Sequence, residues 1–306
     1  MEKLVVITGT TACGKSDLAV ELAKRFDAEV VSADSRQVFR GLDLGSGKIT
    51  KEEMQGVPHY LLDVAEPGEY FSLSDFQRLA YEAIDGILSQ GGRPFLAGGT
   101  GLYINAVVDG YNLHESRPDP ELRREIEEKP LEELIGILKE KEPGALDRVD
   151  IKNKRRVERA VEKALAGKAG ERPRDPRYES LVLGVTYDRD IVYERICVRL
   201  DRRLDQGMID EVRNLRERGI SDEFLYKLGL EYRYILMYLR GEFVSYEAFR
   251  DKLFMEIRHL AKEQMTWFRK RSDIHWIDMT GDPVEEASQL IERFYEGTLN
   301  GRAVDG

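Results

Sequence analysis

Residues 9–16 read GTTACGKS, and this glycine-bounded loop constrains the fold more than any other stretch. It follows the apolar run LVVIT (4–8) and opens an amphipathic helical pattern over 15–26. Gly9, Gly14, Lys15 and Ser16 fit G-x-x-x-x-G-K-[ST] in the strand–loop–helix setting that this motif requires. Glycines let backbone N–H groups turn inward around phosphate oxygens, and the helix N-terminus favours negative charge. Gly9, Thr10, Thr11, Ala12, Cys13, Gly14, Lys15 and Ser16 are therefore expected to hold phosphate, Lys15 as a point charge and Ser16 as a Mg²⁺ ligand. The loop does not say whose phosphate. Phosphoryl transfer would want a second acid for Mg²⁺ at the end of a buried strand, and Asp63, after HYLL, is the tidy candidate.

Further strand-like runs are AEVVS (28–32), HYLLDV (59–64), PFLAGG (94–99), SLVLGVTY (180–187) and IHWIDM (274–279). Helical patterns lie between them at 15–26 and 73–90, and later at 190–217, 221–240, 245–271 and 284–296. This alternation predicts an α/β fold, a P-loop parallel sheet flanked by helices. Between 111 and 178 the pattern becomes helical throughout, with Leu131, Leu134, Ile135 and Leu138 on one stripe and Val157, Ala160, Val161, Ala164 and Leu165 on another. A smaller all-helical insertion at 111–178 is therefore expected within a core formed by 1–110 and 179–306. The closing LNGRAVDG reads as a frayed tail.

The formal net charge of −10 argues against indiscriminate coating of nucleic acid. Residues 152–177 reverse the sign locally, with ten Lys or Arg against four acids. That segment is either a solvated helix face or a polyanion-binding surface. No apolar run approaches the roughly 20 residues of a membrane span. The N-terminus has no basic-then-apolar leader pattern, and the two cysteines, Cys13 and Cys197, are far apart. A reduced, cytoplasmic setting without membrane association is expected.

A second stretch, SADSRQVFRGLDLGSGK (32–48), places Asp34 at the end of a strand neighbouring the phosphate loop. A carboxylate there can cap a helix, hold Mg²⁺ or take a proton from a substrate. Together with GTTACGKS, it is joined by PHYLLDV, FLAGGTGLYINAVVDG, RRVERAVE and MTWFRKR, in that order. The chain in this respect resembles the tRNA dimethylallyltransferases, also called tRNA isopentenyltransferases, from residue 4 to about 279. The resemblance implies transfer of a dimethylallyl group from dimethylallyl diphosphate to N6 of adenosine 37 of tRNA, in the anticodon stem-loop. The phosphate loop would then hold a diphosphate leaving group, with Mg²⁺ as cofactor.

On that resemblance Asp34 is the general base, Thr100 in GGTG stands near the donor or amine, and Arg199 contacts diphosphate. Ser35, Gln37, Asp43 and Lys48 are expected on the tRNA side, with Arg155, Arg156 and Arg159 from the basic insertion. Trp267 and Phe268 are candidates for base stacking or for the core. A monomer suffices for such a scheme.

The chain departs from the family at Thr10 (usually Pro), Cys13 (usually a small residue such as Ser), GSGKIT, YKLGLEYRY (226–234) and RHLAKEQMTW, where His259 and Glu263 replace Gln and Arg. These departures leave open an adenylate isopentenyltransferase acting on free AMP or ADP. A P-loop small-molecule kinase and a non-catalytic RNA-binding protein are the rivals from other classes.

Overall fold

The structure is a computed structural model that describes residues 1–113, 119–165 and 174–301. Its first part runs β1 (Glu2–Gly9), α1 (Lys15–Phe26), β2 (Ala28–Ser32), α2 (Lys51–Met54), β3 (His59–Tyr60), α3 (Leu73–Ser89), β4 (Arg93–Gly98) and α4 (Gly101–Val108). The helices α5 (Pro120–Glu128), α6 (Leu131–Lys141) and α7 (Lys154–Leu165) follow. The chain then continues through β5 (Tyr178–Thr186), α8 (Arg189–Asp205), α9 (Met208–Glu217), α10 (Asp222–Leu228), α11 (Leu230–Leu239), α12 (Tyr246–Phe268), β6 (Ile274–Asp278) and α13 (Pro283–Glu296). Two compact units result, one of residues 1–111 with 175–306 and one of residues 112–174.

The first unit is built on one six-stranded sheet in the order β3-β2-β4-β1-β5-β6, every pair parallel. β1 is central, with Val5 opposite Phe95 of β4 and Leu181 of β5. Side chains alternate across a strand, so a central parallel strand must be apolar on both faces. Val5 and Ile7 point into a core shared with α1 and α13, including Leu22, Phe26, Ile291 and Phe294. Leu4 and Val6 point the other way, towards Phe76, Ile84, Ile104 and Phe268 of α3, α4 and α12. A third apolar cluster joins α8, α9, α11 and α12 to Val38, Phe39 and Leu42 of the segment after β2.

The second unit has its own small core of Ile126, Leu134, Leu138, Ala145, Val157 and Val161. The stripe expected to end at Leu165 ends earlier, because Leu165 is 41% exposed at the last position of α7. A buried-side pair, Arg123 with Glu162 at 2.8 Å, joins α5 to α7. Lys168, Glu171 and Arg172 of the basic segment lie outside the described residues.

The expected strand at 59–64 is only two residues long, since Leu61 and Asp63 take left-handed φ values of 62° and 56° that cannot continue a ladder. The pattern read as one helix over 190–217 is broken at Gly207, φ 98°, and that over 221–240 at Gly229, φ 78°. The expected frayed end is anchored as far as Gly301, whose N–H donates to Glu179 at 2.9 Å, while Leu299 packs on the first core. No helix among the described residues is long and apolar enough to cross a membrane.

The end of α12 is fastened to α4 by a buried guanidinium. Arg271 donates to Asn105 Oδ1 (3.0 Å), to Asp109 Oδ1 (2.9 Å) and to both oxygens of Asp273, and Arg271 and Asp109 are 7% and 3% exposed. Removing one partner from such a network leaves uncompensated buried charge. Arg271→Met should lower unfolding stability by about 3 kcal/mol, read as a lower urea midpoint with an unchanged m value.

Candidate active site

β4 lies between β1 and β2, so the loop after β1, the turn after β4 and the segment after β2 open side by side. Ligands of open parallel sheets bind at this C-terminal edge. The β2 and β4 ends are held together by Ala33 N–H to Ala97 O (2.8 Å) and Thr100 N–H to Ala33 O (3.2 Å).

The loop after β1 turns through left-handed backbone at Ala12 (φ 61°) and Gly14 (φ 82°), and α1 starts at Lys15. Cys13 is fully buried beneath it and Thr10 is 3% exposed, so both departures from the family pattern sit in packed positions. Lys15 Nζ donates to Thr10 O at 3.2 Å. It also lies against Gly99, where an added Cβ would be 3.4 Å from Nζ. Lys15 thus touches the turn that carries Thr100.

One face of α8 supplies further cations. Arg195 Nε donates to Ala12 O at 2.8 Å, with its guanidinium 4.9 Å from the Tyr187 ring centre. Arg199 donates to Thr11 Oγ1. Arg203 packs on Gly47, where any Cβ would collide with the guanidinium. A cavity of about 700 Å³ is lined by Lys15, Ser16, Arg195, Arg199, Arg202 and Arg203, and by apolar Leu44, Ile49 and Val198. Among the acids on its wall, Asp43 is paired with Lys48 and Glu53 accepts from Thr50 N–H, while Asp17 and Glu194 complete the set. Burial lowers the pKa of Arg199 to about 9, and the neighbouring Arg203 pushes the same way. Arg203 is lowered too, chiefly by burial. Glu231, only 6% exposed, opposes both effects and bonds Arg36 at 3.0 Å. A crowded, partly desolvated set of cations favours an incoming polyanion.

On the β2 side, Asp34 Oδ1 accepts from the N–H groups of Arg36 (2.9 Å) and Gln37 (3.3 Å). Asp34 Oδ2 has no protein partner among the described residues, so one carboxylate both caps a turn and keeps an oxygen for another donor. Its charge, after burial, helps raise the pKa of Tyr103. Thr100 Oγ1 accepts from Ser35 N–H at 3.1 Å and stands 3.5 Å from Ser35 Oγ. Asp34 and Thr100 do not line the large cavity; Lys15, which does, connects it to their turn.

The other expected recognition residues are held within the chain. Gln37 Nε2 donates to Gly47 O at 3.1 Å. Lys48, whose side chain is 6% exposed, bonds Asp43 (2.8 Å), Asp63 (2.5 Å) and Phe39 O (2.9 Å). Asp63 thus pairs with Lys48 and lies three residues beyond the end of β3, not at the strand end. Among the described residues no three His, Cys, Asp or Glu cluster as a metal site. Arg155 is exposed on α7, Arg156 lies 3.9 Å from Asp150, and Arg159 bonds Glu162 at 2.6 Å. Phe268 is 1% exposed and belongs to the core, and Trp267 packs partly buried against the same cluster.

Several contributors were not singled out from the sequence. Arg195, Arg202 and Arg203 recur with Arg199 at helical spacing on α8, and that basic stripe was the available signal. Glu211 carried none, and Gln264 lies within RHLAKEQMTW, a segment noted only for His259 and Glu263. Glu211 accepts from the successive N–H groups of Asp43, Leu44 and Gly45 at 2.7–3.0 Å, and from Tyr232 OH at 2.9 Å. Gln264 is bonded to the phosphate loop.

The family model described as IPP transferase matches residues 37–271, and one described as isopentenyl transferase matches 2–68. The chain is 40% identical to a tRNA dimethylallyltransferase of Halalkalibacterium halodurans, over 99% of both chains. It is 41% identical to a tRNA dimethylallyltransferase of Acetivibrio thermocellus, over 98% of this chain and 99% of that one. Its fold is similar to the crystal structure of a tRNA isopentenylpyrophosphate transferase from Bacillus halodurans, with TM-score 0.74, 39% identity and coverage of 97% and 98%. It also resembles in fold a eukaryotic dimethylallyltransferase acting on tRNA, with TM-score 0.81 at 20% identity, covering 99% of this chain and 81% of that one.

Glu231 neutralises arginines that a bound polyanion would also neutralise. Glu231→Gln should destabilise the free protein by about 3 kcal/mol. Inorganic pyrophosphate should then raise the melting temperature of the variant more than that of the wild type. Equal shifts would show that Glu231 and the anion do not share these cations.

Proposed function

The chain belongs to the IPP transferase family and is a tRNA prenyltransferase, and we propose that it transfers a dimethylallyl group from dimethylallyl diphosphate to N6 of adenosine 37 in the anticodon stem-loop. The carrying observation is the position of Lys15. It lines the cation-rich cavity and also rests on the turn that bears Thr100 and, through Ser35, the Asp34 segment. The cavity suits an allylic diphosphate, with cations for the head and Leu44, Ile49 and Val198 for the hydrocarbon.

The adenine exocyclic amine is a poor nucleophile because its lone pair is drawn into the ring. An adenosine in a stacked loop must also be turned out before a recessed carboxylate can reach it. Asp34 Oδ2 accepts an N6 proton as the N6–C1 bond forms, while Oδ1 stays bound to the Arg36 and Gln37 amides. The C1–O bond breaks and its electron pair leaves with the diphosphate. Lys15, the loop amides from Ala12 onward and Arg199 neutralise that developing charge from fixed positions. Thr100 holds the Asp34 segment through Ser35 N–H.

Mg²⁺ fits Ser16, a single hydroxyl on the cavity wall, because this ion binds through few protein oxygens together with substrate phosphates and water. When bound it would add positive charge at the leaving group. All of these groups come from one chain, so the scheme requires no second copy.

Labelled dimethylallyl diphosphate with Mg²⁺ and unmodified tRNA tests the reading, with AMP as a separate acceptor. Label should enter tRNA at adenosine 37. Asp34→Asn keeps an oxygen to cap the turn yet cannot take the proton, and should lower kcat by about 100-fold or more. Label in AMP alone would move the acceptor from RNA to a free nucleotide.

The exposed face of α7 supports a role in gripping the RNA backbone. Replacing Arg155, Arg156 and Arg159 together by Gln should reduce the slope of log K against log salt by roughly 2. An unchanged slope in a tRNA-binding titration would remove α7 from the RNA surface.

A further inference from the structure

Gln264, on α12, has both ends of its side-chain amide engaged, by two different parts of the site. Its Oε1 accepts from the N–H of Thr11 in the phosphate loop at 2.8 Å. Its Nε2 donates to the carbonyl of Gly99, in the turn after β4, at 2.9 Å. A backbone N–H can only donate and a carbonyl can only accept, so the partners fix which end of the amide faces which. The contact is close as well as bonded. A Cβ on Gly99 would stand 3.0 Å from Gln264 Nε2 and 3.3 Å from Lys15 Cε.

The helix that presents Gln264 is itself immobilised around the same turn. One turn further on, the Trp267 ring covers Gly101, where a Cβ would come within 2.4 Å of Cδ1. Phe268 is buried in the core, and Arg271 is bonded to Asn105 and Asp109 of α4 and the residue after it. Thr100 is thus flanked by two contacts from α12, Gln264 on the Gly99 side and Trp267 on the Gly101 side. Thr100 in turn holds Ser35 N–H, next to Asp34.

We propose that Gln264 is a positioning residue that sets the separation between the loop holding the diphosphate and the turn holding the acceptor machinery. The inference rests on the transfer reaction given above. Bond formation between C1 and N6 needs the two reactants at near-contact distance, and a misplacement of about 1 Å can cost about 100-fold in rate. A side-chain amide bonded to both halves fixes that distance without touching either substrate. It also occupies the Thr11 N–H, so the phosphates are left to the amides from Ala12 onward.

Gln264→Met keeps the length of the side chain and removes both bonds. Gln264→Asn keeps the amide but is one methylene too short to hold both partners. Each full-length variant is assayed with dimethylallyl diphosphate, Mg²⁺ and unmodified tRNA, alongside equilibrium binding of inorganic pyrophosphate and of tRNA without donor. In both variants kcat should fall by about 10- to 100-fold, while both KM values and both affinities stay within about threefold of wild type.

A kcat within threefold of wild type in either folded variant overturns the proposal. So does a fall in pyrophosphate or tRNA affinity that matches the fall in rate, since Gln264 would then be a prop for one half-site. If the Met variant does not fold, the Asn variant decides by the same criteria. Absence of transfer by the wild-type chain would overturn the parent reading and this one together, an outcome distinct from transfer that is indifferent to Gln264.

Discussion

The insertion of β4 between β1 and β2 is the constraint on which the site depends. Had β2 paired with β1 directly, the phosphate loop and the Asp34 segment would adjoin without the Gly98–Gly101 turn between them. With β4 in place, Ala33 bonds to Ala97 and Thr100, and Lys15 reaches Gly99. The register of parallel strands thus fixes which loops can cooperate in chemistry. Loop composition then decides what that chemistry is.

The electrostatics follow a second rule, that buried charge needs a counter-charge in every state of the protein. Burial and Arg203 disfavour the charged form of Arg199, burial and Arg202 that of Arg203, and Glu231 offsets part of both costs. The same principle explains Lys48, whose ammonium is enclosed by Asp43, Asp63 and the carbonyl of Phe39. One group of cations is fully matched within the chain and shapes a loop. The other is matched only in part and suits an anionic substrate.

The sheet was legible because each strand run has its own local signature, and every candidate run contains a strand, though HYLLDV supplies only His59 and Tyr60. The turn at 9–16 and the position of Asp34 just past β2 were legible for a related reason, since each is written in contiguous residues. What local pattern could not show was pairing over long sequence separations. Asp63 looked like a strand-end acid until its left-handed backbone and Lys48 gave it another partner. Lys48, expected on the tRNA side, has its ammonium bonded to Asp43, Asp63 and the carbonyl of Phe39. Two helical patterns ran through Gly207 and Gly229, because apolar periodicity persists across a turn that only backbone conformation reveals. Arg195 and Arg203 were visible as a stripe, but their orientation towards the phosphate loop depends on how α8 packs.

The segment from Asp34 to Lys48 has little repetitive structure, and its shape is imposed by residues far along the chain. Glu211 gathers three of its amides, Tyr232 fills the space beside Gly45, Arg203 packs on Gly47 and Glu231 fixes Arg36. β5 completes the pairing of β1 on its other side. During synthesis the N-terminal hundred residues therefore emerge with the signature motifs in place but without the parts that mould them. The phosphate loop and its neighbour acquire their working form only after α8 to α12 have left the ribosome.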